Sequence, residues 1–215
     1  MFGTLVMMHG MSGTAEKMMP LAKQLVPNNW DVFCPQAQIS HPILGGFAWW
    51  LREGENQANL GDLNINGIRK IHSTMNNTSP AINYIDQAYH SLNKIIEELP
   101  EGPLIVGGFS QGGAMASMML ERNIQDRIVG LILIGTMTIN PKGLKSAISN
   151  TWQRPVLWMH GEKDQRIPIS VGEEHIKIFE DAGWKVIKLQ HQKGHIVDIS
   201  QIDIMAKAID SMADI

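Results

Sequence analysis

The sequence predicts an α/β fold: a mostly parallel sheet of about six strands with helices on both faces. Three observations point there. Short apolar runs recur without polar alternation, which is how strands buried on both faces read. Segments with apolar residues every three or four positions lie between them. Gly, Pro, Asn or Asp bounds the runs.

In chain order, residues 3–8 (GTLVMM) form the first strand. Residues 14–26 follow as a helix with Met18, Leu21, Ala22 and Leu25 on its apolar face. A second strand spans 30–34 (WDVFC), and then the pattern breaks. From 35 to about 79 the chain is rich in Asn, Gly, Ile and Trp, without a sustained period. A connection this long inside one domain reads as a lid or substrate loop. Residues 81–99 form the clearest helix, with Ile82, Ile85, Tyr89, Leu92, Ile96 and Leu99 on one stripe. Ser79 and Pro80 suit its start, and Pro100 stops it. Strands at 103–108, 129–134, 155–160 and 184–190 and helices at 111–122, 171–182 and 197–213 complete the set. The expectation is a single domain over 1–215, with 35–80 as an insertion.

Composition narrows the partners. The chain of 215 residues has 18 Lys and Arg against 21 Asp and Glu, a net charge of -3, which gives no electrostatic reason to bind nucleic acid or an anionic membrane. Its one cysteine, Cys34, excludes an intrachain disulfide and fits a reducing compartment. The start "MFGTLVMMHG" lacks a basic leader region, and no apolar run approaches the ~20 residues of a membrane span, so a cytoplasmic protein without stable membrane insertion is expected. No H-E-x-x-H, Walker loop or G-x-G-x-x-G occurs, so neither metal nor cofactor is expected.

The chemistry centres on "GGFSQGGAMASMML", residues 107–120. Here a strand runs straight into G-x-S-x-G and a small-residue helix runs straight out. So abrupt a turn strains its central residue, and side chains two positions either side would collide. Gly108 and Gly112 remove the collisions, and Gly113 lets the helix approach the sheet. Ser110 is then held above the carboxyl end of the sheet beside a helix N-terminus. A serine hydroxyl needs a base to become a nucleophile, and in this arrangement the acid and then the histidine follow in the chain. Asp164, in "PVLWMHGEKDQRIP", is the candidate acid, with Glu162 as its rival. The shorter side chain on a turn is held more rigidly, which favours Asp164. "KLQHQKGHIVDIS" supplies His191 at a strand end and His195 on a loop long enough to reach back to Ser110. His195 is the favoured base and His191 the alternative. His41, His72, His90 and His175 read as surface residues, and His160 as a structural group under the acid loop. Oxyanion donors are the backbone N–H of Gln111 and, if strands 3–8 and 103–108 are neighbours, that of Met11 in "MHGMSGTAEK". His9 supports that loop. The fourteen methionines, with Trp49, Trp50 and Trp158, fit either an adaptable acyl pocket or ordinary core, the core being the expectation for any single Met.

With "MHGMSG", "CP" at 34–35, "GFSQGG" at 108–113, "HGEKDQRIP" at 160–168 and "GH" at 194–195, the chain resembles the α/β-hydrolase superfamily. Within it, the likeness is to the phospholipase/carboxylesterase family that includes the acyl-protein thioesterases. The resemblance implies Ser110 as nucleophile, Asp164 as acid, His195 as base, and Met11 with Gln111 as oxyanion donors. "FAWW" at 47–50 is similar to that family's active-site aromatic loop, which makes Phe47, Trp49 and Trp50 candidate substrate contacts. The chain begins inside its first strand, without the leading hairpin of most relatives. Residues 30–34 are therefore expected at an exposed edge, which leaves a homodimer open.

The expected function is hydrolysis of a carboxylic ester or thioester through an acyl-enzyme. The substrate is a small-molecule or lipid ester, a lysophospholipid, or an acylated protein. A lyase, a perhydrolase or a non-catalytic ligand-binding protein on the same scaffold are the alternatives, because fold does not fix reaction.

Overall fold

The computed structural model describes residues 2–52, 55, 83–149 and 151–214. Its strands are β1 (Thr4–Met8), β2 (Asp31–Phe33), β3 (Ile39–Ser40), β4 (Phe47–Ala48), β5 (Leu104–Phe109), β6 (Ile128–Ile134), β7 (Val156–Gly161) and β8 (Val186–His191). Six of them form one sheet in the order β2-β1-β5-β6-β7-β8, with every neighbouring pair parallel. Each of the six runs read from the sequence is one of these strands. β2 is the edge, with Asp31 exposed and Val32 and Phe33 half-buried, as expected for 30–34.

The helices are α1 (Ala15–Leu25), α2 (Tyr84–Glu98), α3 (Gln111–Met118), α4 (Pro141–Ser149), α5 (Ile169–Asp181) and α6 (Ile202–Ala213). Successive side chains of a strand point to opposite faces, and the two cores follow that alternation. Leu5 and Met7 of β1 pack with Met18, Ala22 and Leu25 of α1 and Met205, Ile209 and Met212 of α6. Val6 and Met8 pack on the other face with α2, α3, α4 and α5 through Leu92, Met115, Leu144 and Phe179. Trp158 and nine of the methionines are buried in these two layers, so core packing accounts for them. Among the described residues no helix is long and apolar enough to cross a membrane.

Local chemistry sets the helix starts. Thr14 accepts from Lys17 N at 3.1 Å and caps α1. α2 begins at Tyr84, capped by Asn83, which accepts from Ile85 N at 3.0 Å. The expected start at Ser79 and Pro80 lies outside the described residues, as does His72. α3 closes with a 3₁₀ turn, Met119–Glu121, and another, Ile199–Gln201, leads into α6. Helix α4 was not expected from the sequence. Its buried positions are only Leu144 and Ile148, and Gly143 weakens the pattern. The signal that could have found it is Asn140-Pro141, since Asn140 Oδ1 accepts from Gly143 N at 3.1 Å as a cap followed by proline does.

Two further corrections concern polar residues. Of the insertion at 35–80, the first part is ordered by an antiparallel pair, β3 with β4, and a bridge from Phe47 to Gly13. His41 and His175 are buried, where surface positions were expected, and His90 is exposed as expected. The His41 ring is accommodated because Nδ1 accepts from the N–H groups of Ile43 and Leu44 at 3.3 and 3.1 Å, capping the turn between β3 and β4. His175 packs against Phe179 in the core, and burial, together with the nearby His160, pushes its pKa down to about 3.

The closest backbone approach in this framework is at Gly112, where an added Cβ would lie 2.1 Å from the Met8 carbonyl oxygen. Gly112→Ala is therefore expected to lower the unfolding free energy by about 2–4 kcal/mol, measured by urea denaturation. A loss under about 0.5 kcal/mol, the scale of an ordinary surface substitution, would show that α3 does not sit this close to β1.

Candidate active site

β1 and β5 are neighbours, yet the helices that follow them, α1 and α3, pack on opposite faces of the sheet. That is a topological switch point, where the connections part and leave a crevice at the carboxyl ends of the strands. Ser110 lies at this point, between the end of β5 and the start of α3. Its φ of 55° and ψ of -117° place a non-glycine residue in a strained region, which costs about 1–3 kcal/mol. The surroundings hold it there. Ser110 N donates to Ile134 O at 2.9 Å, and Ser110 O accepts from Thr136 Oγ1 at 2.7 Å and from the N–H groups of Gly113 and Ala114. Gly108 and Gly112 face one another across the turn, where a Cβ on Gly108 would come within 2.5 Å of the Gly112 carbonyl carbon.

The later loops bring two polar side chains to this hydroxyl. His195 Nε2 lies 3.0 Å from Ser110 Oγ, and His195 Nδ1 lies 2.6 Å from Asp164 Oδ2. The other carboxylate oxygen, Asp164 Oδ1, accepts from the N–H groups of Arg166 and Ile167 at 2.8 and 2.9 Å. Asp164 is thus fixed on both oxygens. His195 Nδ1 donates to Asp164, so Nε2 is left to accept from the serine hydroxyl. The ring of Phe109 packs on the imidazole, with centroids 4.7 Å apart.

The rival residues are committed elsewhere. Glu162 Oε2 accepts from Gln192 Nε2 at 2.6 Å, tying the acid loop to the loop that carries the imidazole. His191 ends β8 in register with Gly161, and its Nδ1 accepts from Lys193 N at 3.3 Å. His160 lies beneath the acid loop as expected, with its Nε2 donating to Ile167 O at 2.9 Å and 3.5 Å from Asp164 Oδ2.

Burial and hydrogen bonding oppose each other at these groups. Burial alone would raise the Asp164 pKa, but the Ile167 N–H, the His195 ring and the Arg166 N–H together hold the carboxyl below its ordinary range. Burial, the largest influence on His195, lowers its pKa, while the hydrogen bond and charge of Asp164 raise it. Arg166 and His160 lower it again, and the net shift is downward, which favours a neutral imidazole. The Asp164 side chain is fully sequestered, whereas that of His195 keeps 11% of its surface exposed. The arrangement can draw a proton from the hydroxyl into an imidazole that a fixed carboxylate then stabilises.

The loops that carry the expected oxyanion residues and aromatics lie beside this turn. The loop after β1 touches the serine, since a Cβ on Gly10 would lie 3.3 Å from Ser110 Cβ. The backbone N–H of Gln111 is in the first turn of α3, where amides lack intrahelical partners. The side chain of Gln111 has a role that spacing did not reveal. It is buried, accepts from Trp49 N at 3.1 Å and donates to Trp50 O at 2.9 Å, pairing with the aromatic loop as a strand would. Trp49 is buried too, its indole N–H donating to His9 O at 2.8 Å. Trp50 is buried beside it and Phe47 is half-buried, so of the three aromatics Phe47 has the most exposed surface. Among the described residues no three of His, Cys, Asp or Glu gather as a metal set.

Comparison with known proteins identifies the family. Residues 2–213 match the family described as Phospholipase/Carboxylesterase. Acyl-protein thioesterase 1 homolog 1 of Dictyostelium discoideum is 24% identical over 219 residues, covering 96% of this chain and 88% of that protein. Acyl-protein thioesterase 1 of Cryptococcus neoformans var. neoformans serotype D is 22% identical over 191 residues, 86% of this chain and 76% of that one. The structure of Zea mays acyl-protein thioesterase 2 superposes with a TM-score of 0.70 at 18% identity, covering 98% and 93% of the two chains.

The electrostatics make a direct test. Histidine-selective NMR is expected to show the His195 imidazole titrating below the ordinary value of 6.5, and lower still in Asp164→Asn, which loses the carboxylate that favours the charged ring. A midpoint above 6.5 in the unaltered protein would contradict this balance of burial and pairing.

Proposed function

We propose, from the premise that the chain belongs to the phospholipase/carboxylesterase family, that it hydrolyses carboxylic ester or thioester bonds with Ser110 as nucleophile. The observation that carries the reading is the continuous line of contacts from Ser110 Oγ to His195 at 3.0 Å and from His195 to Asp164 at 2.6 Å. In this mechanism His195 takes the hydroxyl proton as the serine oxygen attacks the acyl carbonyl. The N–H groups of Met11 and Gln111 stabilise the oxyanion. Asp164 keeps the imidazole oriented and stabilises its charged form. The tetrahedral intermediate collapses to a Ser110 ester as His195 protonates the departing alcohol or thiol. Water, deprotonated by the same imidazole, then releases the acid and restores the serine.

The relatives named acyl-protein thioesterases favour an S-acylated protein as substrate over a small ester. Phe47, at the bridge to Gly13 and half-buried, is the aromatic best placed to meet the acyl group. Trp49 and Trp50 hold the loop from inside. A water-accessible compartment such as the cytoplasm fits a substrate of this kind.

Three outcomes test the reading. A fluorophosphonate should label Ser110, identified by peptide mass spectrometry, and Ser110→Ala should cut kcat on p-nitrophenyl and S-acyl substrates by about 10⁴-fold or more. Asp164→Asn should cost about 10³–10⁴-fold by removing the group that orients the base. The base works only when neutral, so kcat/KM should hold through neutral pH and fall as pH drops through a midpoint below 6.5. Undiminished turnover in Ser110→Ala would end the proposal.

A further inference from the structure

The loop after β1 contains a histidine whose protonation pattern is fixed by its partners. His9 is 2% exposed. Its Nε2 lies 3.2 Å from Ala37 N and 3.2 Å from Gln36 Nε2. Both neighbours can only donate. The Gln36 amide cannot be reversed, since its Oε1 accepts from Ala15 N at 3.0 Å while its Nε2 also donates to Ala37 O. Nε2 of His9 is therefore an acceptor, and its proton sits on Nδ1. Nδ1 in turn lies 2.8 Å from the Gly10 carbonyl oxygen, which also accepts from Gly13 N at 3.0 Å.

That carbonyl shares a peptide plane with the N–H of Met11. The bond is trans, so fixing the C=O in one direction fixes the N–H in the opposite one. The preceding carbonyl, His9 O, is held by the Trp49 indole at 2.8 Å. Two successive peptides are thus clamped where Gly10 adjoins Ser110. We infer that His9, resting on the reading of Met11 N–H as an oxyanion donor, is a positioning residue: its Nδ1–H grips the Gly10 carbonyl and aims the Met11 amide. The imidazole touches no substrate and acts only through that peptide. Burial lowers its pKa, which keeps the single-proton form in place.

The test uses the full chain and a pair of substrates, a p-nitrophenyl oxoester and its thiono analogue, whose larger sulfur draws less on an oxyanion donor. His9→Phe should lower oxoester kcat by about 10–100-fold, short of losing a whole donor, with KM changed less than about 3-fold. The oxoester-to-thionoester rate ratio should fall with it. His9→Asn, whose amide can still donate to Gly10 O, should regain most of the loss. An equal fall on both substrates, or an Asn variant no better than Phe, would overturn the inference while leaving Ser110→Ala inactive. Turnover surviving in Ser110→Ala would instead remove the hydrolytic reading beneath it. If the Phe variant does not fold, the unaltered protein still decides: ¹⁵N NMR should find His9 protonated on Nδ1, and a proton on Nε2 would refute the clamp.

Discussion

The first turn of α3 lies against the carboxyl end of β1 at a separation that admits no Cβ at residue 112, where one would lie 2.1 Å from Met8 O. Much of the site's geometry descends from that contact. To enter a helix there, the chain must turn sharply out of β5, and the turn leaves Ser110 at a positive φ. The hydroxyl is lifted off the sheet, and the amides of the first helical turn lie beside it. The same approach brings the loop after β1, with Gly10, alongside the serine. One steric condition thus sets the positions of the proposed nucleophile and of both proposed oxyanion donors.

The acid and base reach the serine from the same carboxyl ends, on loops after strands toward the sheet's other edge. β7 and β8 pair in parallel up to Gly161 and His191, and the pairing continues past the strands through Glu162 N to His191 O and Lys163 N to Lys193 O. The two loops leave the sheet zipped together, which sets Asp164 and His195 against each other before either meets Ser110. Glu162 joins this zipper through Gln192. Of the two carboxylates in the loop, one fastens the loops to each other and the other meets the imidazole.

A further network runs behind the serine. Gln111 pairs with Trp49 and Trp50, Ser91 donates to Trp49 O at 2.6 Å, and Trp49 reaches back to His9. Because these groups are buried, losing one partner would leave another polar atom without a hydrogen bond, which makes the arrangement stiff. The aromatic loop is therefore coupled to the backbone that presents the oxyanion donors. A rigid surround suits a site whose proposed chemistry depends on donors fixed before charge develops.

The sequence by itself determined the sheet, since short apolar runs bounded by turn residues and separated by helical segments read as its strands. It also singled out Ser110, because glycines at 108 and 112 between a strand and a helix leave few other readings. Asp164 and His195 were legible as favourites over Glu162 and His191, through loop position and side-chain length. The contacts of these residues were not legible, because hydrogen bonds between groups 31 and 85 positions apart exist only once parallel strands have set the loops side by side. Helix α4 escaped because its buried stripe is two residues wide, and the burial of His41 and His175 because a histidine's spacing does not say which way it faces. The structure alone set Nε2 of His9 against Gln36 and Ala37, and Gln111 against the aromatic loop. Those facts depend on Gln36, Ala37, Trp49 and Trp50, which the fold brings in from far along the chain.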